Sequence, residues 1–275
     1  MNTLPSLPSL PSLRLHHATL TAVALTTALS LSPLAAKAAD GDLQGKFLLA
    51  SDTRSLPRTI DTIEMSGPVD LVVRQSAVPT MVVKAEQRLL DQVRTRMDGT
   101  TLSISVTGPT PVSYRQMRVE VGLPTLQFVR LAGTGDAELS GFSGERFKLE
   151  QSGRGDVVIR ATFQNIEAKM SGNGDLTLHS GTANSVTLAM SGRGDARIDG
   201  RAKTFTASLR GAGDLNAREF VTEVVTLAMS GSGDAMVQAS QAVTVISRGR
   251  GDVVVFGQPA QKVMSRSGSG SVVFR

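Results

Sequence analysis

The tetrapeptide Gly-x-Gly-Asp recurs along the second half of the chain, with its aspartates at Asp136, Asp156, Asp175, Asp195, Asp214, Asp234 and Asp252. The steps are 20, 19, 20, 19, 20 and 18 residues, and Gly268-Ser269-Gly270-Ser271 follows 19 residues on with serine in the aspartate position. A fixed period of this kind marks a repeat architecture, in which one unit cannot bury its own apolar face and stacking on neighbours makes a continuous core. After each aspartate, apolar residues alternate with variable ones, as in Val157 and Ile159, Leu176 and Leu178, or Val253 and Val255. Before the glycines, Leu188 with Met190 and Leu227 with Met229 alternate in the same way. A period of two is a strand period. Each unit therefore reads as two short strands joined by a glycine corner. A repeat near 19 residues is too short for a helix pair but sufficient for one coil of a parallel β-solenoid. Eight coils at roughly 4.8 Å each would extend about 35 to 40 Å.

The corner glycines have a backbone explanation, since a sharp bend needs either positive φ or close approach of another backbone. A phosphate-cradling reading would require a helix after the glycines, and strand alternation follows instead. The aspartates should align in one row. At that spacing two carboxylates repel by under about 1 kcal/mol in bulk water but by about 3 to 4 kcal/mol at an effective dielectric near 20. The row must then stay solvated, accept backbone hydrogen bonds, or recruit cations. The expected role is structural, each aspartate capping N–H groups of its own corner. Calcium is the weaker alternative, because calcium-binding nonapeptide rolls use a much shorter repeat. Three corners spell Arg-Gly-Asp, with Arg154, Arg193 and Arg250 in the variable slot that Thr134, Asn173, Ala212 and Ser232 fill elsewhere. The frame generates that tripeptide automatically, and its arginines are expected to offset the carboxylate row as surface ion pairs. Met170, Met190 and Met229 recur in register as a core ladder.

The first 38 residues differ from the rest. A polar start carrying Arg14, His16 and His17 precedes an apolar run from Ala18 to Ala36, and Ala36-Lys37-Ala38 offers a signal-peptidase site. The expected organisation is a cleaved signal peptide over 1–38 and a single β-helix domain over 39–275, irregular and strand-rich to about residue 130 and regular over 131–275. A short helix is expected within Ala85 to Val93, and Asp98-Gly99 should turn the chain into a strand at Leu102. No second apolar span of about 20 residues follows, so no integral membrane span is expected after cleavage. Export to the periplasm or cell surface of a bacterium is the implied destination. The chain has no cysteine, which removes disulfide frameworks, thiolate metal sites and thiol nucleophiles. His179 is the only histidine beyond the leader and stands beside Ser180, but a triad needs a group orienting the ring and an oxyanion site, and the sequence shows neither a nucleophile elbow nor a repeat-breaking insertion. The net charge is +5, but with 4% aromatic residues there is little to stack bases on, and nucleic acid is not an expected partner. Neither a cofactor nor a metal nor catalytic residues are expected.

An export signal, an irregular opening with Ser66-Gly67-Pro68-Val69-Asp70, and tandem corners such as Met190-Ser191-Gly192-Arg193-Gly194-Asp195 and Met229-Ser230-Gly231-Ser232-Gly233-Asp234 together resemble the GIN-domain family. Its members are described as auto-transporter adhesin head domains of bacterial envelopes. The resemblance runs from about Ile60 onward and implies a right-handed parallel β-helix with no catalytic residues to carry over. It departs from an auto-transporter in one respect, for the last repeat is followed by no run of barrel strands, so self-translocation is not expected. The expected function is an exported, non-catalytic adhesin head or envelope interaction scaffold, its envelope, surface or extracellular ligand unspecified. The alternative is a polysaccharide lyase or hydrolase, since β-helices also host such enzymes. Those folds usually interrupt their repeat with cleft-walling loops and carry aromatic sugar platforms, whereas the spacing here varies by two residues.

Overall fold

The computed structural model describes residues 48–108 and 117–275. The signal-peptide reading and Pro109 and Pro111 lie outside the described residues. The opening part holds β1 (Leu49–Arg54), β2 (Thr62–Gly67), β3 (Asp70–Gln75), β4 (Thr80–Glu86), β5 (Val93–Asp98), β6 (Thr101–Val106), β7 (Arg118–Leu123) and β8 (Phe128–Gly133). The regular part holds β9 (Ala137–Gln151), β10 (Val157–Met170), β11 (Leu176–Met190), β12 (Ala196–Leu209), β13 (Leu215–Met229), β14 (Ala235–Ser247), β15 (Val253–Phe256), β16 (Gln261–Arg266) and β17 (Val272–Phe274). From β9 onward every pairing is parallel and joins one coil to the next, giving a β-solenoid of about seven turns. The helix expected near Ala85 is a single 3-10 segment, Gln87–Gln92, that buries Leu89. Asp98-Gly99 turns β5 into β6, with Gly99 at φ 59°.

The alternation seen in the sequence becomes vertical columns inside the coils. Phe147, Ile166, Val186, Phe205, Val225 and Val243 stack in one, and Leu149, Ala168, Leu188, Ala207, Leu227 and Val245 in the next. All are buried. Volumes complement each other across the columns, for Ala168 and Ala207 share their coils with the larger Ile166 and Phe205, whereas Leu188 and Leu227 share theirs with valines. Met170, Met190 and Met229 are 4%, 4% and 2% exposed and lie in one column with Gln151, Leu209 and Ser247. Burying each large apolar side chain contributes about 1.5 to 3 kcal/mol.

Two corners close each coil, and they differ in kind. At the Gly-x-Gly-Asp corner the backbones are nested. A Cβ on Gly153, Gly172, Gly192, Gly211 or Gly231 would fall on the carbonyl oxygen of the glycine one coil back, and the second glycine of each corner is confined in the same way. Close approach, not positive φ, is therefore why these positions are glycine. The other corner lies within a strand, where the sequence pattern suggests a break between two short ones. The strands run 13 to 15 residues from one glycine corner to the next and bend midway without leaving the ladder. Register shifts mark the bend, between Arg160 and Asn165, His179 and Thr182, and Arg197 and Gly200. Bulges absorb an extra residue in this way, so the 18-to-20-residue variation sits at the bulged corner and leaves the glycine corner constant.

The Ser66-to-Asp70 segment is the first glycine corner. From Asp70 the chain runs along β3, departs through β4 to β7, and returns as β8 to complete the coil beneath β9. The excursion stacks β6 on β2 and β7 on β3, and antiparallel β5, β4 and β1 extend these, covering that end of the solenoid.

Substitution separates the two glycine roles. Gly192→Ala drives a Cβ into the Gly172 backbone and should cost about 3 kcal/mol or more. Gly99→Ala has open space around it and only the left-handed φ to strain, for about 1 kcal/mol. Urea titration of both variants against the parent checks the ranking; comparable losses would remove the nested-backbone explanation.

Candidate binding surface

The aspartates do form one row, on the outside of the glycine corner, but their bonds run between coils. Asp136 N–H donates to Asp70 Oδ1 at 3.1 Å, and the same bond repeats from Asp156 to Asp136, Asp175 to Asp156, Asp195 to Asp175, Asp214 to Asp195, Asp234 to Asp214 and Asp252 to Asp234 at 2.7 to 2.9 Å. Ser271 ends the series, donating to Asp252 Oδ1 from its N–H at 2.7 Å and from its hydroxyl at 2.9 Å. Each aspartate thus caps the coil that follows, rather than its own corner. The reason lies in the glycines: the carbonyl of Gly135 points at the Cα of Gly155, so the next N–H, that of Asp156, takes the carboxylate of Asp136 as acceptor. In return Ala137 N–H donates to the Asp156 carbonyl at 2.8 Å, and equivalent bonds recur along the row. The carboxylates are exposed, which with the N–H bonds keeps their mutual repulsion small. Among the described residues no three acidic or imidazole side chains converge as a metal site requires.

Arg154, Arg193 and Arg250 are exposed beside this row, yet among the described residues none forms an ion pair with it. The expected offsetting of charge is therefore absent there. It occurs instead on the adjacent sheet face, where Glu64, Arg130, Glu150 and Lys169 occupy one column of successive strands. Arg130 bridges Glu64 at 2.9 Å and Glu150 at 3.0 Å, while Lys148 reaches Glu150 at 2.8 Å and Lys169 reaches Glu167 at 2.9 Å. The hydrogen bond from Lys148, then that from Arg130, holds the Glu150 carboxyl below its usual range. Glu167 raises Lys169 in the same way. A shallow valley of about 480 Å³ crosses these coils, lined by Arg130, Glu150, Lys169, Ser171, Ser191 and Arg210. This ladder was legible in principle, since Arg130, Glu150 and Lys169 stand 20 and 19 residues apart. Further along the same face the charges stop, and Thr187, Thr206, Thr226 and Thr244 follow in register, beside Ala189, Ser208 and Ala228.

His179 lies on another side, its Nδ1 2.8 Å from Asp199 Oδ2 on the next coil. Ser180 does not join them. Consecutive strand residues face opposite ways, so Ser180 is buried and donates to the Asp199 carbonyl at 3.1 Å.

The family profile described as "Putative auto-transporter adhesin, head GIN domain" matches residues 60–259. Solved structures of the same fold include a "putative adhesin" from Parabacteroides distasonis, 19% identical with a TM-score of 0.72, the match covering 84% of this chain and 98% of that one. A "putative adhesin" from Parabacteroides merdae is 16% identical with a TM-score of 0.70, covering 82% and 96%. A "putative lipid binding protein" from Parabacteroides distasonis is 19% identical with a TM-score of 0.73, covering 82% and 96%. At these identities the likeness is one of fold. No curated protein matches the chain.

Two measurements test the aspartate row. Asp195→Ala leaves the Asp214 N–H to water and should cost about 1 kcal/mol, or roughly 2 to 4 °C in Tm, whereas Asp195→Asn keeps an acceptor and should cost less. Calorimetry that ranks the two equally would count against the inter-coil bond. Asp252 supplies the pH dependence, because the Ser271 N–H and then its hydroxyl hold the carboxyl below its ordinary 3.8, against slight desolvation. A folded-state value below the unfolded one stabilises the fold above the unfolded value, and that contribution is lost as pH falls through the lowered value. Ser271→Ala should therefore lessen the drop in Tm between about pH 5 and about pH 3.

Proposed function

Since the chain belongs to the GIN-domain family of adhesin heads, matched over residues 60–259, we propose that it is an exported, non-catalytic solenoid that presents its flat faces to an envelope or extracellular ligand. The family and two of its solved neighbours carry adhesin names. The observation that carries the reading furthest is the continuity of the sheet face from Glu64 to Thr244, where side chains repeat coil after coil from a charged ladder into a neutral threonine row. Such a face offers many equivalent shallow contacts to a repetitive or extended partner, and multivalent contact of this kind gains avidity without a deep pocket. Catalysis would ask for something different, namely a few groups held at unlike positions around one reacting atom.

On this reading residues 1–38 are the leader, residues 39–275 fold as one unit, and the seven repeat aspartates serve the scaffold. Expression in a bacterial host with fractionation tests it. The exported protein should begin at Ala39 by N-terminal sequencing and should be cleaved by protease added to intact cells while a periplasmic marker survives. Retention in the cytoplasm with an intact leader would overturn the export, and complete protection from external protease would overturn the adhesive role.

A further inference from the structure

Next to the outward column of Ala189, Ser208 and Ala228, the first position of the glycine corner reads Ser191, Arg210, Ser230, Arg248 and Ser267 on five successive coils, each N–H bonded to the coil before. Serine and arginine alternate, so a guanidinium stands on every second coil, about 10 Å from the next. Lys169 continues the interval two coils before Arg210, in the column of Ala189 and Ser208, with its charge shared by Glu167. Arg210 and Arg248 are exposed, and among the described residues neither forms an ion pair. Arg210 lines the valley of about 480 Å³ described above. Arg248 lines a second one, of about 400 Å³, with Arg250 from its own coil and Ser230 and Ser269 from the coils on either side. No acid lines that second valley, and in the first Glu150 is already engaged by Arg130 and Lys148. The row aspartates Asp214 and Asp252 stand four residues beyond the two arginines, on the far side of the glycines.

We infer that this column binds an acidic polysaccharide laid along the solenoid, with one sugar over each coil and an anionic group on every second sugar. Two coils match the length of one disaccharide in an extended chain, so successive anionic groups meet Arg210 and Arg248, while the sugars between them meet serine hydroxyls, which both donate and accept. A guanidinium fork takes a carboxylate or a sulfate through two parallel N–H bonds. One exposed pair of this kind is weak, and affinity comes from repeating it along one ligand. The alternation argues against other polyanions. Single-stranded nucleic acid calls for aromatic platforms, which the column lacks. An acidic peptide finds no strand edge here, because these rungs are paired on both sides. The inference rests on the adhesive reading for its setting and deepens it by naming the class of ligand.

The test titrates a fluorescent decasaccharide of alternating glucuronate and N-acetylglucosamine with the purified full chain at low salt, followed by anisotropy. It should bind, and a neutral N-acetylglucosamine oligomer should not. Arg210→Ser with Arg248→Ser gives both coils the residue the column carries elsewhere, and should weaken binding about tenfold. Arg201→Ser with Lys203→Ser removes the same charge from exposed positions near the bulged corner, and should change binding less than about twofold. If the first variant does not fold, Arg210→Gln with Arg248→Gln takes its place. A tetrasaccharide with two carboxylates should bind more tightly than the disaccharide, and either single arginine variant should remove that advantage. No binding to the parent chain, equal losses in the two double variants, or equally tight binding of a glutamate decapeptide would each overturn the proposal. Because binding is read on the purified chain, these failures leave export and surface exposure standing, and failure of export leaves the binding result standing.

Discussion

Backbone meets backbone at the glycine corner, and the rest of the structure follows from that contact. With no Cβ at Gly172, Gly192 or Gly211, each carbonyl occupies the space a side chain would have taken on the coil beyond. Coil spacing at this edge is thus fixed by main-chain atoms and is independent of what the side chains elsewhere are. The same nesting turns glycine carbonyls away from the N–H of the following aspartate, and the carboxylate one coil back supplies the missing acceptor. Glycine and aspartate are two halves of one solution. The first permits close stacking, and the second satisfies the donor that close stacking leaves over.

How much of this the sequence discloses depends on whether a residue's partner lies at the repeat distance or at an arbitrary one. The strand alternation, the methionine column and the stacked corners all obey the period, and they could be read directly. The direction of the Asp195 bond could not, because a carboxylate that caps its own turn and one that caps the next coil leave the same Gly-x-Gly-Asp trace. The bulged corner left no trace either. Its residues are as varied as Arg160, Gly181 and Gly200, since a bulge can be accommodated by many side chains and by single glycines at positive φ. The expected ion pairs of Arg154 and Arg193 rested on sequence proximity to aspartate. An exposed guanidinium gains little from such a pair, and the ion pairs on the adjacent face join charges that a strand holds on one side, either opposite each other across coils, as at Glu64, Arg130 and Glu150, or two residues apart along one strand, as at Lys148 and Glu150.

A scaffold fixed at one edge leaves its faces free to vary. Outward positions contribute nothing to the columns inside, so the same coil geometry carries Lys169 next to Glu167 on one strand and Ala189 next to Thr187 on the following one. The surface chemistry of such a protein is therefore written in outward columns, four or more coils long, and a ligand that uses it must be long or repetitive enough to read several rows at once.

The contrast between the corners also accounts for the irregular opening of the chain. A one-residue difference between β10 and β11 is taken up after Arg160, at the bulged corner. The much longer excursion of β4 to β7 leaves after Gln75, and Arg74 is paired with Ser140, just before the equivalent bend in β9. It returns at Phe128, which pairs with Lys148 on the far side of that bend. Small and large insertions therefore enter at one place. An insertion at the glycine corner would separate backbones that touch and leave the aspartate N–H groups without their carboxylate acceptors, whereas the bulged corner is already a departure from the ladder. The covering on the β2–β3 end is, in these terms, the same event as a bulge on a larger scale, an insertion long enough to fold back and pair with the coil from which it came.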